Sequence, residues 1–159
     1  EGVMPEWRTE MKEIKPGTGR KLKDGEGVAI LSFGHPGNFA AAAIRELRAE
    51  ELNPAHYDMR FAKPLDENLL HEVFRKFNKI ITVEDGTVQG GFGSAVLEFM
   101  ALHQYGAQVK ILGIPDLVIE QGTPKELQKE CGYDVAAIAA AVRKMMNEEQ
   151  HSVIHKSIL

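Results

Sequence analysis

From Val83 to Val96 the sequence reads VEDGTVQGGFGSAV, two carboxylates followed by four glycines. An apolar run, Lys79 to Val83, leads in, and a helix-compatible stretch follows from Ala95. Strand, glycine loop and helix together can hold a phosphate on free helix N-terminal amides. The specific signatures are missing, however. No Lys-Ser/Thr pair follows the glycines, which excludes a P-loop. Gly86, Gly91 and Gly93 do not fit G-x-G-x-x-G, and a dinucleotide fingerprint belongs after the first strand of the fold, where FGHPGN offers only Gly34 and Gly37. No Lys or Arg lies between Lys79 and Lys110 to meet a phosphate. Anion binding at the helix start stays open, but glycine equally serves turns and close backbone approach, and packing is the better reading. The expectation is that Gly90, Gly91 and Gly93 let this loop press on another domain or subunit. Phe92 would then be its apolar anchor, and Glu84 would tie the loop down by accepting backbone N–H bonds.

Glu84 and Asp85 sit at the carboxyl end of a strand, where α/β proteins build sites. Paired carboxylates do acid–base work when one has a raised pKa. Strand neighbours point to opposite faces, so these two should not share a proton. His35, His56, His71, His103, His151 and His155 are dispersed. His151 and His155 have the i, i+4 spacing of a helical metal pair but no third ligand nearby, which favours surface histidines. His35 follows a strand and could face a ligand, yet no acid or base partner is in sight. Cys131 lacks a basic neighbourhood and reads as an inert thiol. No Ser-His-Asp arrangement can be assembled from spacing alone. No residue is assigned a catalytic, cofactor-binding or metal-ligating role.

The elements that position these residues alternate in type. Residues 1–18 read as a linker, with a short strand near Arg20–Lys23 turning at Asp24-Gly25. VAILSFG (28–34) is an unbroken apolar strand covered on both faces. Residues 39–52 form an amphipathic helix with Ala40, Ala43, Ile44 and Leu47 on one stripe. HYDMRFA (56–62) reads as a strand ended by Pro64, and Asp66 caps a helix carrying Leu69, Leu70, Val73, Phe74 and Phe77. KIITVE is the next strand, followed by a helix from Ser94 to Gln104 that stops at Gly106. QVKILGI is another. Thr123-Pro124-Lys125-Glu126 combines a capping box with proline at the first helical position, and Gly132 ends that helix. Asp134 caps the last helix, with a frayed tail over 148–159. Strands alternating with helices over short connections predict an α/β fold, a three-layer α/β/α sandwich with a mostly parallel sheet spanning 19–147.

The chain has 159 residues, 43% apolar and 26% charged, the composition of one globular domain. A net charge of -4, with basic residues outnumbered and scattered, argues against a nucleic-acid partner. No apolar run is long enough to span a membrane. One cysteine, Cys131, excludes an internal disulfide and suits a reducing cytoplasm.

Taken together, DMRFAKPLD (58–66), ITVEDGTVQGGFGSAVLE (81–98) and ILGIPDLVIEQGTPKEL (111–127) resemble the C-terminal domain of the 1-deoxy-D-xylulose-5-phosphate synthases. ILSFG (30–34) and YDVAAIAAAV (133–142) fit the same pattern, over about residues 19 to 146. Related domains end transketolases and the β subunits of 2-oxo acid dehydrogenases. Asp85-Gly86 departs from the Glu-Asn common in the synthases and resembles the dehydrogenase subunits. The resemblance implies a cytoplasmic homodimer that condenses pyruvate with glyceraldehyde 3-phosphate at the start of an isoprenoid route. It implies thiamine diphosphate and magnesium, held by two preceding catalytic domains. None of that family's catalytic or magnesium residues has a match here. The chain then reads as a noncatalytic third domain contacting those domains and a second subunit, with no cofactor of its own. A transketolase or dehydrogenase counterpart, or a free-standing Rossmann-like module, is the alternative.

Overall fold

Alternation along each central strand divides the core into two layers. A computed structural model describes residues 13–156, with side chains described through Asn147. In β2 (Ala29–Phe33), Ile30 faces one cluster while Ala29 and Leu31 face the other. The same split recurs in β4 (Lys79–Thr87), where Ile81 and Val83 oppose Ile80. A strand carrying apolar residues on both faces has to be covered on both, which is why it reads as an unbroken apolar run.

The covering helices bring matching stripes. The helix α1 (Gly37–Leu47) buries Ala40, Ala43, Ile44 and Leu47 and continues into a 3-10 turn, Arg48–Glu50. It shares its layer with the last helix, α5 (Val135–Lys156), through Ile138, Ala139, Val142 and Met145. The opposite layer holds α2 (Glu67–Lys76) and α3 (Phe92–Leu102), with Leu70, Val73, Phe74, Val96 and Phe99 inside. A short α4 (Pro124–Glu130) precedes α5 and has no buried residue. The expected α/β/α sandwich is what forms.

With β1 (Arg20–Lys23), β3 (Ala55–Asp58) and β5 (Gln108–Ile114), the sheet has five strands in the order β1-β3-β2-β4-β5. Only β1 is antiparallel, pairing Arg20 with Asp58 and Lys21 with Tyr57. The chain leaves β2 for β3 on one side and returns through α2 to β4 on the other. The carboxyl ends of β2 and β4 thus meet at a topological switch point, the usual place for a crevice.

Several boundaries obey the local chemistry read from sequence. The Asp66 carboxylate accepts from Leu69 N–H at 2.9 Å, and Asp134 accepts from Ala137 N–H at 2.8 Å. Thr123 and Glu126 form the reciprocal capping box with Pro124 inside it. Gly132 takes φ +73 after α4.

Others differ. β3 stops at Asp58, four residues short of the expected Ala62, because Arg60 adopts φ +57 and its N–H turns back to Asp58 Oδ1 at 3.3 Å. The helix α3 begins at Phe92 rather than Ser94. It is ended by Gln104 at φ +57, not by Gly106, with Tyr105 N–H reaching back to Met100 C=O at 3.0 Å. The last helix does not stop at Asn147 but runs on to Lys156. Most of the expected linker, residues 1–12, and the end of the tail, 157–159, lie outside the described residues.

Candidate functional site at the carboxyl ends of the strands

Strand alternation sends Glu84 and Asp85 in opposite directions. Glu84, 2% exposed, turns toward α3, where its Oε2 accepts from Phe92 N–H at 2.8 Å and its Oε1 from Gly93 N–H at 2.7 Å. A carboxylate against the first amides of a helix satisfies groups that have no intrahelical partner and complements the positive end of the dipole. This is also why α3 starts two residues earlier than its apolar pattern suggests. Asp85, exposed, takes the other face, and Tyr133 Oη donates to its Oδ1 at 2.8 Å. Burial first, then the hydrogen bond and charge of Asp85, push the Tyr133 phenol above the ordinary tyrosine range. The two carboxylates share no proton.

The glycines close the loop from within. At Gly91 a Cβ would collide with the Thr87 carbonyl and the Glu84 carboxylate. At Gly93 it would lie 2.6 Å from both Ile111 Cγ2 and Thr82 Oγ1. Gly90 takes φ +75, and its N–H donates to Ser94 Oγ at 3.0 Å while that hydroxyl donates to Val88 C=O at 2.8 Å. Close approach is real, but at Gly91 and Gly93 the neighbour is this chain's own β4 and β5. Phe92 is corrected likewise. It is 1% exposed and stacks on Phe33 with ring centroids 5.5 Å apart, so it fills the domain's core and cannot anchor a partner.

Beside the loop, a cavity of about 320 Å³ is lined by Asp85, Ile114, Leu127, Cys131 and Tyr133. Burial raises the Cys131 thiol pKa, with Glu130 and Asp85 adding to it, which makes the thiol less reactive. A larger hollow of about 540 Å³ opens past His35 and Phe39 toward Lys125 and Asp134. His35 meets Phe39 edge-on at 4.9 Å and lies 3.4 Å from Asn38 Nδ2. Among the described residues no carboxylate hydrogen-bonds to His35, whose side-chain partner is Asn38. His71 packs in an aromatic cluster, its Nδ1 2.7 Å from Tyr105 Oη and its ring 4.6 Å from that of His103. The side chains of His151 and His155 lie outside those described. Among the described residues no three metal-ligating side chains gather, and no helix is long and apolar enough to cross a membrane.

One pair escaped the sequence. Ser32 Oγ lies 2.9 Å from His56 Nε2, both side chains buried. The serine also donates to Tyr57 C=O at 3.2 Å. The one proton of Ser32 goes either to the Tyr57 carbonyl or to His56 Nε2, so the tautomer of His56 sets the direction of this bond. Burial lowers the His56 pKa to about 4, which keeps the ring neutral. The pair joins β2 to β3. Only the parallel register, with Ile30 opposite His56, brings residues so distant in sequence together.

Comparison with known proteins bears directly on this arrangement. The family model described as "Transketolase, C-terminal domain" matches residues 17–138. A 1-deoxy-D-xylulose-5-phosphate synthase of Cytophaga hutchinsonii is 61% identical over 145 residues, 91% of this chain. One from Parabacteroides distasonis is 50% identical over 143 residues, 90% of this chain. The chain spans 23% of the length of each of these relatives. A solved structure titled "Split gene transketolase, inactive beta4 tetramer" superposes with a TM-score of 0.80 at 33% identity, over 92% of this chain and 47% of that one. The chain belongs to the transketolase C-terminal domain family.

Proposed function

We propose that this chain is the C-terminal domain of a cytoplasmic, homodimeric 1-deoxy-D-xylulose-5-phosphate synthase. The enzyme condenses pyruvate with glyceraldehyde 3-phosphate, releasing carbon dioxide, in isoprenoid precursor synthesis. The observation that carries this reading is 61% identity over 145 residues to a synthase, nearly twice the 33% shared with the transketolase structure. Bound thiamine diphosphate, with magnesium, supplies the carbanion chemistry. The glycine loop at the carboxyl end of β4 does not fit its diphosphate. Glu84 holds the amides of Phe92 and Gly93 that a phosphate would need, and no Lys or Arg lies between Lys79 and Lys110. The cofactor is therefore assigned to preceding domains, and this domain's role is to support them and the dimer.

The contact face in this reading is the carboxyl end of the sheet. Gly90 and Asp85 are exposed there. The loop leaving β5 adds Leu117 and Val118, exposed at 73% and 97%, which take over the anchoring role expected of Phe92. A domain exchange tests the assignment. This chain replaces the C-terminal domain of the Cytophaga hutchinsonii synthase, and 1-deoxy-D-xylulose 5-phosphate formation is followed. The expected kcat/KM lies within about tenfold of the parent. A folded dimeric chimera without synthase activity, alongside an active chimera with a transketolase, would overturn the assignment in favour of a transketolase domain.

A further inference from the structure

Far from the glycine loop, at the seam between the edge strand β1 and helix α1, cations gather without counterions. A cavity of about 270 Å³ is walled by Lys23 of β1, Arg45 of α1, Arg48 of the 3-10 turn and His56 of β3, with Leu22 and Ile44 as apolar sides. None of the described residues lining it is acidic. The carboxylates nearby are engaged elsewhere: Asp24 with Lys21 at 2.9 Å, Asp58 with Arg20 at 2.9 Å, Glu50 with Arg143 at 2.7 Å.

We propose that this cleft binds a small phosphate-type dianion, either inorganic phosphate or the phosphate group of a small monoester. Lys23 Nζ is fixed in place by neutral oxygens, the carbonyls of Asp24 at 2.9 Å and Pro54 at 3.1 Å and the side-chain oxygen of Asn53. Its position is set but its charge is not cancelled. Burial and then Arg48 lower the Lys23 pKa below the ordinary lysine value, a penalty that an anion in the cleft would relieve. Arg45 and Arg48 stand three residues apart, one turn along the same face, and neither has an ion pair among the described residues. Two guanidinium forks are the donors that phosphate oxygens favour, while Lys23, whose three N–H groups are already taken, contributes its charge.

His56 adds selectivity. In the tautomer that donates Nε2–H to Ser32, the neutral ring offers Nδ1 as an acceptor, without a partner among the described residues. A protonated phosphate oxygen or the hydroxyl of a small monoester can donate to it. The cavity volume sits just below the usual range for drug-sized ligands and suits a phosphate with a short carbon chain better than a nucleotide.

Calorimetric titration of the 159-residue chain with inorganic phosphate, and separately with glycerol 3-phosphate, tests the site. Saturable one-to-one binding is expected, weakened at least about tenfold by Arg45→Gln combined with Arg48→Gln. It should be unchanged by Arg75→Gln, an exposed arginine on the opposite layer. Tighter binding of glycerol 3-phosphate identifies a monoester as the ligand, and equal or weaker binding identifies inorganic phosphate. Absence of saturable heat with both probes overturns the proposal. So does binding that survives the double substitution in a chain whose circular dichroism is native, or that Arg75→Gln weakens equally.

Discussion

The loop between β4 and α3 and the cleft between β1 and α1 are opposites. The loop carries the backbone signs of an anion cradle: glycines, a strand end, a helix start. The amides of Phe92 and Gly93 are already taken by Glu84, and Gly91 and Gly93 are filled from inside by Thr87, Thr82 and Ile111. The cleft carries no motif at all, yet its positive side chains lack carboxylate partners among the described residues. A glycine-rich loop reports that backbones come close. It does not report whether the approaching group is a ligand or part of the same fold. Unbalanced charge around a cavity is the more direct sign of a missing partner.

The largest effect that separates the two regions should come from Gly91→Val. The new side chain would displace the Glu84 carboxylate and press on the Thr87 carbonyl, leaving a buried acid without its amides. A loss of about 4 kcal/mol or more is expected, at the extreme of single substitutions. Urea denaturation of the chain measures it. A near-native midpoint would show that the loop has room to spare and could open for a ligand.

Phe92→Ala comes next. A phenylalanine stacked on Phe33 and 1% exposed should cost roughly 3–5 kcal/mol when truncated. An exposed interface anchor would instead leave the isolated chain's stability unaltered and weaken only assembly. The same urea denaturation distinguishes them.

How much of this contrast was legible in the sequence depends on the range of the interactions. The caps at Asp66, Thr123 and Asp134 were readable because donor and acceptor lie three residues apart. The double-sided strands were readable because burial on both faces leaves an unbroken apolar run. Phe92 was misread because an aromatic residue between glycines has no periodic neighbours to place it inside or outside. Gly106 was misread as a stop because Gln104 adopted the left-handed conformation that glycine usually supplies. The Ser32–His56 pair and the Lys23, Arg45, Arg48 group could not be found at all. The pair requires β3 to lie beside β2 and the cationic group requires β1 to lie beyond β3, which sequence periodicity does not specify.

The cleft predicts a pH effect that the loop does not. The buried His56 has its pKa lowered to about 4, chiefly by desolvation, with Asp58 raising it and Lys23 lowering it further. In the unfolded chain an ordinary histidine binds its proton near pH 6.5. Between those values the unfolded state holds the extra proton. The stability this group contributes is therefore fully present above pH 6.5 and lost as pH falls toward 4, by about 3 kcal/mol in total. Denaturant midpoints across that window, compared with those of His56→Gln, isolate the share of this one ring. If the two proteins lose stability in parallel, His56 is not the group that titrates.

The smallest stability effect is the most discriminating between the regions. Arg45→Gln with Arg48→Gln removes two positive charges that have no ion pair among the described residues, of which Arg48 repels Lys23. In a region organised for the fold's own sake, taking away long polar side chains would lose contacts and lower the melting temperature, as at Gly91 and Phe92. In a region that holds charge ready for something absent, the native state loses repulsion and gains or keeps its stability. The expected result is a melting temperature in low salt equal to or slightly above that of the parent. Any gain should shrink as salt rises, because screening already removes the repulsion that the substitution relieves. A clear drop in melting temperature, independent of salt, would mean that these arginines pack as Glu84 does. The cleft would then be one more part of the fold that resembles a site.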